Sequence, residues 1–311
     1  MVRTVLIALI VFIYVAKLLW NLFKTKRANA NLMEGLVKQS AQQGAGENQP
    51  GAEEIATLRK RFEEAVEALK QSRLGQTGKK TLSDGFGRFT RQWVYELPWY
   101  IFIGAPGSGK TTALVNSGLQ FPLAEKFGQG SIRGVGGTRN CDWWFTNDAV
   151  LLDTAGRYTT QESNQAVDSA AWSGFLQLLK KYRNRRPING VLLTLSVSDL
   201  LEQSGVQREA HINALRRRIE ELHKELNIRF PLYVLITKMD LLAGFMEFFS
   251  EFSKEEREQI WGASFPYSEN AAESQSQAFI ADEFSALVKR INDRLIDRLQ
   301  QERDPQKRAQ L

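Results

Sequence analysis

Apolar and polar residues follow one another in blocks along most of this chain, and the blocks predict an α/β fold. Short apolar runs of strand length occur near residues 99–104, 142–145, 149–153, 190–197 and 232–237. Longer segments such as 166–182 and 207–226 lie between them, with apolar residues at helical spacing. Strands that alternate with helices predict a mostly parallel sheet with helices on both faces. Asn147 and Asp148 suit a tight turn, so the second and third strands are predicted to form a hairpin.

Two further amphipathic helices are predicted outside this alternating region. Residues 53–73 and residues 276–302 both repeat apolar side chains at helical spacing, with charged residues between them. A stretch rich in Gly, Gln, Asn and Pro at 40–52 predicts a flexible connection before the first helix. Each apolar stripe needs a cover, which is either the core of the same domain or a partner protein.

The first apolar run of the chain is long enough to cross a membrane. Residues 2–23 are almost wholly apolar, and a helix of that length spans about 33 Å against a hydrocarbon core of about 30 Å. Lys24, Lys26 and Arg27 follow, so the positive-inside rule places the C-terminal flank in the cytoplasm. An A-x-A sequence at 28–30 leaves a cleavable signal peptide as the alternative. The charge distribution favours an uncleaved anchor.

The composition narrows the classes of function. The chain has 311 residues, of which 43% are hydrophobic, and this is enough for a full core. Its net charge of +6 is dispersed over short clusters, so no nucleic-acid binding is predicted. Cys141 is the single cysteine, which excludes an intramolecular disulfide. His211 and His223 have no second ligand at metal-binding spacing, so no nitrogen and sulfur metal site is predicted.

A phosphate-binding pattern follows the first predicted strand directly. The pattern G-x-x-x-x-G-K-[ST] and the residue after it comprise Gly104, Ala105, Pro106, Gly107, Ser108, Gly109, Lys110, Thr111 and Thr112. Glycines at these positions allow several backbone N–H groups to turn toward an anion. Lys110 is predicted to reach the β- and γ-phosphates of a nucleotide, and the Thr111 hydroxyl to bind Mg²⁺.

Two further segments predict ligands for the metal and the γ-phosphate. Asp153 ends a buried strand and begins the motif D-T-A-G, so it is predicted to hold Mg²⁺ through water, with the Gly156 N–H near the γ-phosphate. A strand-capping aspartate is the alternative. Thr138, in the Gly-rich stretch 134–139, is a candidate Mg²⁺ ligand, with an ordinary Gly-rich loop as the alternative.

The last predicted strand ends in a motif that suits a nucleotide base. Thr237, Lys238 and Asp240 form T-K-x-D. A carboxylate there can accept from the ring N–H and the amino group of guanine, a donor pair that adenine lacks, and the Lys238 stem can lie over the base. GTP is therefore favoured, and ATP stays open.

Taken in order, the three motifs resemble those of the small GTPase fold. Many GTPases place glutamine directly after D-T-A-G to orient the attacking water, and this chain has Arg157. Arg157 is either a catalytic, phosphate-facing arginine or a member of a salt bridge. Any hydrolysis is predicted to be slow or to depend on a partner.

The segments GAPGSGKTTAL, GGTRNCDWWF, LLDTAGRYTTQ and TKMDLL, together with residues 244–249, resemble the IcmF/TssM family. The resemblance implies an inner-membrane component of a bacterial type VI secretion system. It also implies a cytoplasmic nucleotide-binding domain that faces the baseplate, and other membrane subunits in a hetero-oligomeric complex. Family members usually carry further transmembrane and periplasmic parts, so an excerpt or a truncated member is expected.

These observations give one predicted organisation and two candidate functions. Residues 2–23 are a single transmembrane helix, 24–97 a linker with an amphipathic helix, 98–270 a P-loop NTPase domain of small-GTPase type, and 271–311 a helical extension. The favoured function is a component whose Mg²⁺-nucleotide state switches its docking to partners. The alternative is a membrane-tethered GTPase or ATPase that drives protein targeting or transport by turnover. A small-molecule kinase is disfavoured because no acceptor site or lid is visible.

Overall fold

The computed structural model of the protein describes residues 51–76, 92–121, 141–161, 164–257, 259, 261–265 and 273–311. The chain divides into two units, Met1–Glu53 and Glu54–Leu311, and all described strands lie in the second. The predicted anchor at 2–23 and the candidate ligand Thr138 lie outside the described residues. Among the helices that are described, none has the length and apolar character of a membrane span.

The described strands form one five-stranded sheet in the order β2-β3-β1-β4-β5. They are β1 (Trp99–Ile103), β2 (Cys141–Phe145), β3 (Val150–Thr154), β4 (Gly190–Ser196) and β5 (Leu232–Thr237). Strand β1 pairs in parallel with β3 and β4, and β4 pairs in parallel with β5. Only β2 and β3 are antiparallel in this sheet, as a hairpin. The predicted mostly parallel sheet is confirmed.

The long helices predicted at 166–182 and 207–226 lie between the strands as expected, and several shorter helices were not predicted. They are α1 (Ala52–Gln76), α2 (Lys110–Val115), α3 (Gly156–Thr160), α4 (Gln165–Tyr182), α5 (Val197–Glu202), α6 (Gly205–Leu226), α7 (Phe245–Phe248), α8 (Lys254–Arg257), α9 (Glu273–Gln301) and α10 (Pro305–Gln310). Short 3₁₀ helices occur at Gln92–Tyr95 and Met239–Leu241. Helix α6 begins with a reciprocal capping box in which Ser204 and Gln207 satisfy each other's backbone N–H groups.

Helix α1 packs on the larger apolar face of the sheet. The fully buried ring of Phe62 meets Trp143 edge to face, with the ring centroids 4.5 Å apart. It also lies 6.0 Å from the ring centroid of Phe175 on α4 and stacks on Tyr182 at 5.3 Å. The apolar stripe of α1 is therefore covered by the domain's own core. From α1, Phe62 thus contacts both the sheet and α4.

The apolar stripe of α9 has a different environment. Ile280, Phe284 and Ile296 are each more than half exposed. The helix is held near its C-terminal end, where the buried Arg298 donates to the Glu247 carbonyl oxygen at 3.0 Å. Two helices with the same sequence pattern thus differ in whether the domain covers them.

Truncating Phe62 should destabilise the domain strongly. Phe62→Ala empties a site bounded by three elements, and it is expected to lower the free energy of unfolding by about 3–5 kcal/mol. Denaturant unfolding of the full chain measures this change. Glu64→Ala, on the exposed side of α1, is the matched control and should change stability by less than about 0.5 kcal/mol. Equal losses in the two variants would contradict this packing of Phe62.

Candidate functional site

The residues singled out by the motifs meet at one edge of the sheet. The glycine loop, defined as residues 104–109, leaves the carboxyl end of β1 and enters α2. Asp153 lies near the carboxyl end of the neighbouring β3, and Thr237 ends β5. Parallel strands present their carboxyl ends at the same edge, so these side chains are positioned by the topology.

The glycine loop has the backbone shape that its sequence requires. Gly107 and Gly109 have φ angles of +74° and +83°, a region that L side chains rarely adopt. Ser108 between them is fully buried, and its hydroxyl lies 2.8 Å from the hydroxyl of Thr194 on β4. The Ser108 N–H donates to the Ala105 carbonyl oxygen at 3.1 Å. The loop is thus a closed turn anchored on β4.

Lys110 is buried and folds back into the glycine loop. Its Nζ donates to the carbonyl oxygens of Gly104 at 2.9 Å and Ala105 at 3.0 Å. Burial lowers the pKa of Lys110 to about 8, although the nearby charge of Asp153 acts in the opposite direction. A buried ammonium held mainly by neutral carbonyl oxygens is stabilised by any anion brought into the loop.

Thr111 and Asp153 place a hydroxyl and a carboxylate beside Lys110. The Thr111 hydroxyl donates to Oδ2 of Asp153 at 2.5 Å, and Asp153 is fully buried. Hydroxyl and carboxylate oxygens are the donors that Mg²⁺ prefers, and Mg²⁺ usually takes few protein ligands and keeps several waters. The described residues contain no group of three or more His, Cys, Asp or Glu suited to a metal. The Thr111 hydroxyl and the Asp153 carboxylate are oxygen donors of the type that Mg²⁺ accepts.

Gly156 brings helix α3 against the glycine loop. A Cβ atom on Gly156 would lie 2.4 Å from the Pro106 nitrogen and 2.5 Å from its Cα, so no larger residue fits without movement. The Gly104 N–H donates to the Thr159 hydroxyl of α3 at 3.3 Å. Thr159 and Thr194 were not identified from the sequence, because a lone threonine carries no signal until the fold places it.

The T-K-x-D segment is joined to the same loop by its first residue. The Thr237 hydroxyl donates to the Ser108 carbonyl oxygen at 2.6 Å and to the Leu195 carbonyl oxygen at 3.2 Å. Lys238 follows with a φ angle of +58°, and Asp240 is exposed in the next 3₁₀ turn. Thr112, on α2, is exposed as well. The structure therefore brings Thr237 onto the glycine loop and leaves Asp240 on the surface beyond it.

Arg157 lies between two carboxylates. Its guanidinium pairs with Glu54 of α1 through NH2 and with Asp168 of α4 through NH1. The Tyr158 hydroxyl donates to the same Glu54 oxygen. Burial lowers the pKa of Arg157, but the hydrogen bond and charge of Glu54 outweigh this effect and the net change is upward. Of the two roles considered for Arg157, the salt bridge is the one that this arrangement contains.

Comparison with known proteins identifies a family and a relative. Residues 165–311 match the family model described as the IcmF-related N-terminal domain. A protein named type VI secretion system component TssM1, from Pseudomonas aeruginosa, is 55% identical over 257 residues, which cover 83% of this chain and 22% of that protein. The chain thus spans about a fifth of the length of this relative.

The contact between Gly156 and the loop predicts a specific sensitivity. Gly156→Ala forces a methyl group into the Pro106 backbone and should destabilise the chain by about 1–3 kcal/mol in denaturant unfolding. Gly205→Ala is the control, since a Cβ at Gly205 would meet nothing within 4 Å. It should stay within about 0.5 kcal/mol of the unchanged chain. Equal stability of Gly156→Ala and this control would contradict the close contact of Gly156 with the Pro106 backbone.

Proposed function

The chain belongs to the IcmF/TssM family of type VI secretion components, and on this premise we propose that it carries a P-loop domain of small-GTPase type whose bound Mg²⁺-nucleotide switches its docking in the secretion machine. The observation that supports this most strongly is the buried Lys110 amine inside the glycine loop, next to Thr111 and Asp153.

Phosphate binding is assigned to residues 104–112. Backbone N–H groups of the glycine loop, including those of Gly107 and Gly109, would surround the phosphates. Lys110 supplies the positive charge for the β- and γ-phosphates. Its bonds to carbonyl oxygens keep the amine in the loop before any ligand arrives, so the charge is oriented in advance.

The metal ligands in this proposal are Thr111 and Asp153, with Thr138 as a further ligand. Mg²⁺ would neutralise charge on the β- and γ-phosphate oxygens when bound. The Thr111 hydroxyl and the Asp153 carboxylate, which are hydrogen-bonded to each other, would hold the metal, Asp153 through water. The hydrogen bond between these two side chains supports their joint role as metal ligands.

Binding of the nucleotide base is assigned to Thr237, Lys238 and Asp240. Thr237 holds the start of this segment on the glycine loop, which fixes its distance from the phosphates. Asp240 would accept from guanine, so GTP is the favoured nucleotide and ATP the alternative.

The switch in this proposal is the segment that begins at Gly156. Its N–H would bind the γ-phosphate, and loss of that phosphate would release the segment. Arg157 is held by carboxylates, which supports slow or partner-dependent hydrolysis over rapid unaided turnover. A turnover-driven GTPase or ATPase for protein targeting stays the alternative.

The location and partners are proposed from the family and the sequence together. Residues 2–23 would anchor the chain in the bacterial inner membrane and leave the nucleotide domain in the cytoplasm. Other inner-membrane subunits and the baseplate would be the partners of a hetero-oligomeric complex.

Equilibrium binding of fluorescent GTP and ATP analogues, with Mg²⁺, to the detergent-solubilised full chain tests the nucleotide proposal. Lys110→Ala removes the charge on the phosphates and should weaken binding about 100-fold, since hydrogen bonds to charged groups contribute about 1.5–3 kcal/mol each. Asp240→Ala should remove the preference for GTP with little effect on the ATP analogue. Equal affinities of the unchanged chain for both analogues would contradict the guanine assignment.

The same Lys110→Ala variant separates binding from switching in the bacterium. Because its affinity falls about 100-fold, the variant is expected to lose nucleotide-dependent docking and secretion at nucleotide concentrations that saturate only the unchanged chain. Normal assembly and secretion by a Lys110→Ala chain that is shown to bind no nucleotide under those conditions would contradict the switch.

Nucleotide affinity should fall as pH rises through about 8. The free chain loses the Lys110 proton near its pKa of about 8, whereas bound phosphates hold the amine in its charged form. Affinity is therefore full below this pH and should be about tenfold weaker at pH 9 than at pH 7. The Lys110→Ala variant serves as the control, because it shares the nucleotide's own titration. A constant ratio of the two affinities across this range would contradict the role of Lys110.

A further inference from the structure

We propose that the first turn of helix α1 responds to nucleotide binding through an ion-pair bridge of Glu54, Arg157 and Asp168. The bridge breaks when Gly156 moves to the γ-phosphate. These three residues are called the arginine bridge. The inference rests on the proposed nucleotide binding and adds the element that responds to it.

The arginine bridge starts one residue from the nucleotide site. Arg157 follows Gly156 directly, and both lie in the first turn of α3, a helix of five residues. Gly156 already touches the Pro106 backbone, so a phosphate in the glycine loop meets α3 at this point. Any movement of Gly156 toward that phosphate carries the Arg157 backbone with it.

The other ends of the arginine bridge lie on separate helices. Glu54 is in the first turn of α1, and the fully buried Asp168 is in the first turn of α4. The Arg157 guanidinium reaches both carboxylates at hydrogen-bond distance, and only a small displacement is compatible with both contacts. Because two carboxylates share one guanidinium, its departure leaves them near each other without their common cation.

Helix α1 yields at its first turn because its later turns are held more firmly. Leu58 and Phe62 are buried in the core cluster between the sheet and α4. Glu54 comes one turn earlier and is held by Arg157 and by the Tyr158 hydroxyl. Both of these residues belong to α3. Movement of α3 toward the phosphate therefore removes the contacts of Arg157 and Tyr158 with Glu54 and leaves the Phe62 anchor in place.

The arginine bridge and the bound triphosphate oppose each other in two ways. If the guanidinium turns to the phosphate, it must leave Glu54 and Asp168. If it stays in the arginine bridge, it resists the movement of Gly156 and lowers the affinity for a triphosphate. Coupling of this kind is reciprocal, so a docked first turn weakens triphosphate binding to the extent that the triphosphate loosens that turn.

Hydrogen–deuterium exchange on the full chain in detergent micelles tests the coupling. The states compared are the free chain, the chain with Mg²⁺ and GDP, and the chain with Mg²⁺ and a non-hydrolysable GTP analogue. The analogue is expected to speed amide exchange in peptides covering residues 54–62 several-fold, and GDP to leave it near the value of the free chain. Peptides within β1 serve as the internal reference.

Glu54→Gln removes one charge of the arginine bridge with an isosteric side chain, and Arg157→Gln replaces the guanidinium with a shorter, neutral side chain. In both variants, amide exchange in peptides covering residues 54–62 should be fast without nucleotide and should not rise further with the analogue. Both variants should also bind the analogue several-fold more tightly relative to GDP. Arg61→Gln is the matched control, since Arg61 lies on the same helix and pairs at 2.9 Å with Asp142 of β2, which is not a member of the arginine bridge. It should keep the response of the unchanged chain.

The outcomes separate this inference from the proposed function. Analogue binding without any change at residues 54–62 would overturn the coupling and leave nucleotide binding intact. The coupling is equally overturned if Arg61→Gln matches Arg157→Gln. Absence of nucleotide binding in the unchanged chain would overturn the proposed function and the coupling with it. Because the first readout uses the unchanged chain, it does not depend on the folding of any variant.

Discussion

The close contact between Gly156 and the Pro106 backbone connects the glycine loop to helix α3. On one side of the contact lie the glycine loop, Lys110 and the edge of the sheet. On the other side, helix α3 continues through Arg157 to α1 and α4. Since a Cβ at Gly156 would overlap the loop, a group that enters the loop at this point meets α3. The nucleotide proposal and the coupling to α1 both depend on it.

The two cations near this contact have different surroundings, and the difference decides which of them is available to a phosphate. Burial lowers the pKa of Lys110, whose nearest partners are neutral carbonyl oxygens. The pKa of Arg157 is raised despite its burial, because Glu54 and Asp168 hold its charge. An anion in the loop therefore gains most from Lys110. Arg157 transmits movement instead, and it can do so because its partners lie on other helices.

The sequence predicted the features that depend on local pattern. Strand and helix periodicity predicted the parallel sheet, and the glycine spacing predicted the loop in which Gly107 and Gly109 have positive φ angles. The sequence pattern did not predict contacts between residues that are far apart along the chain. Glu54 and Arg157 are 103 positions apart, and either could have been an ordinary exposed charge. Amphipathic patterns likewise showed that α1 and α9 need a cover, but only the fold placed Phe62 in the core and left Phe284 exposed.

The most direct test is a structure of the full chain determined with Mg²⁺ and a non-hydrolysable GTP analogue. We predict the triphosphate in the glycine loop, with Lys110 Nζ on its β- and γ-phosphates and the Thr111 hydroxyl on the metal. We also predict that Arg157 has separated from Glu54. At a saturating concentration of the analogue, a loop without nucleotide, with Lys110 still bonded to the carbonyl oxygens of Gly104 and Ala105, would contradict the proposed function.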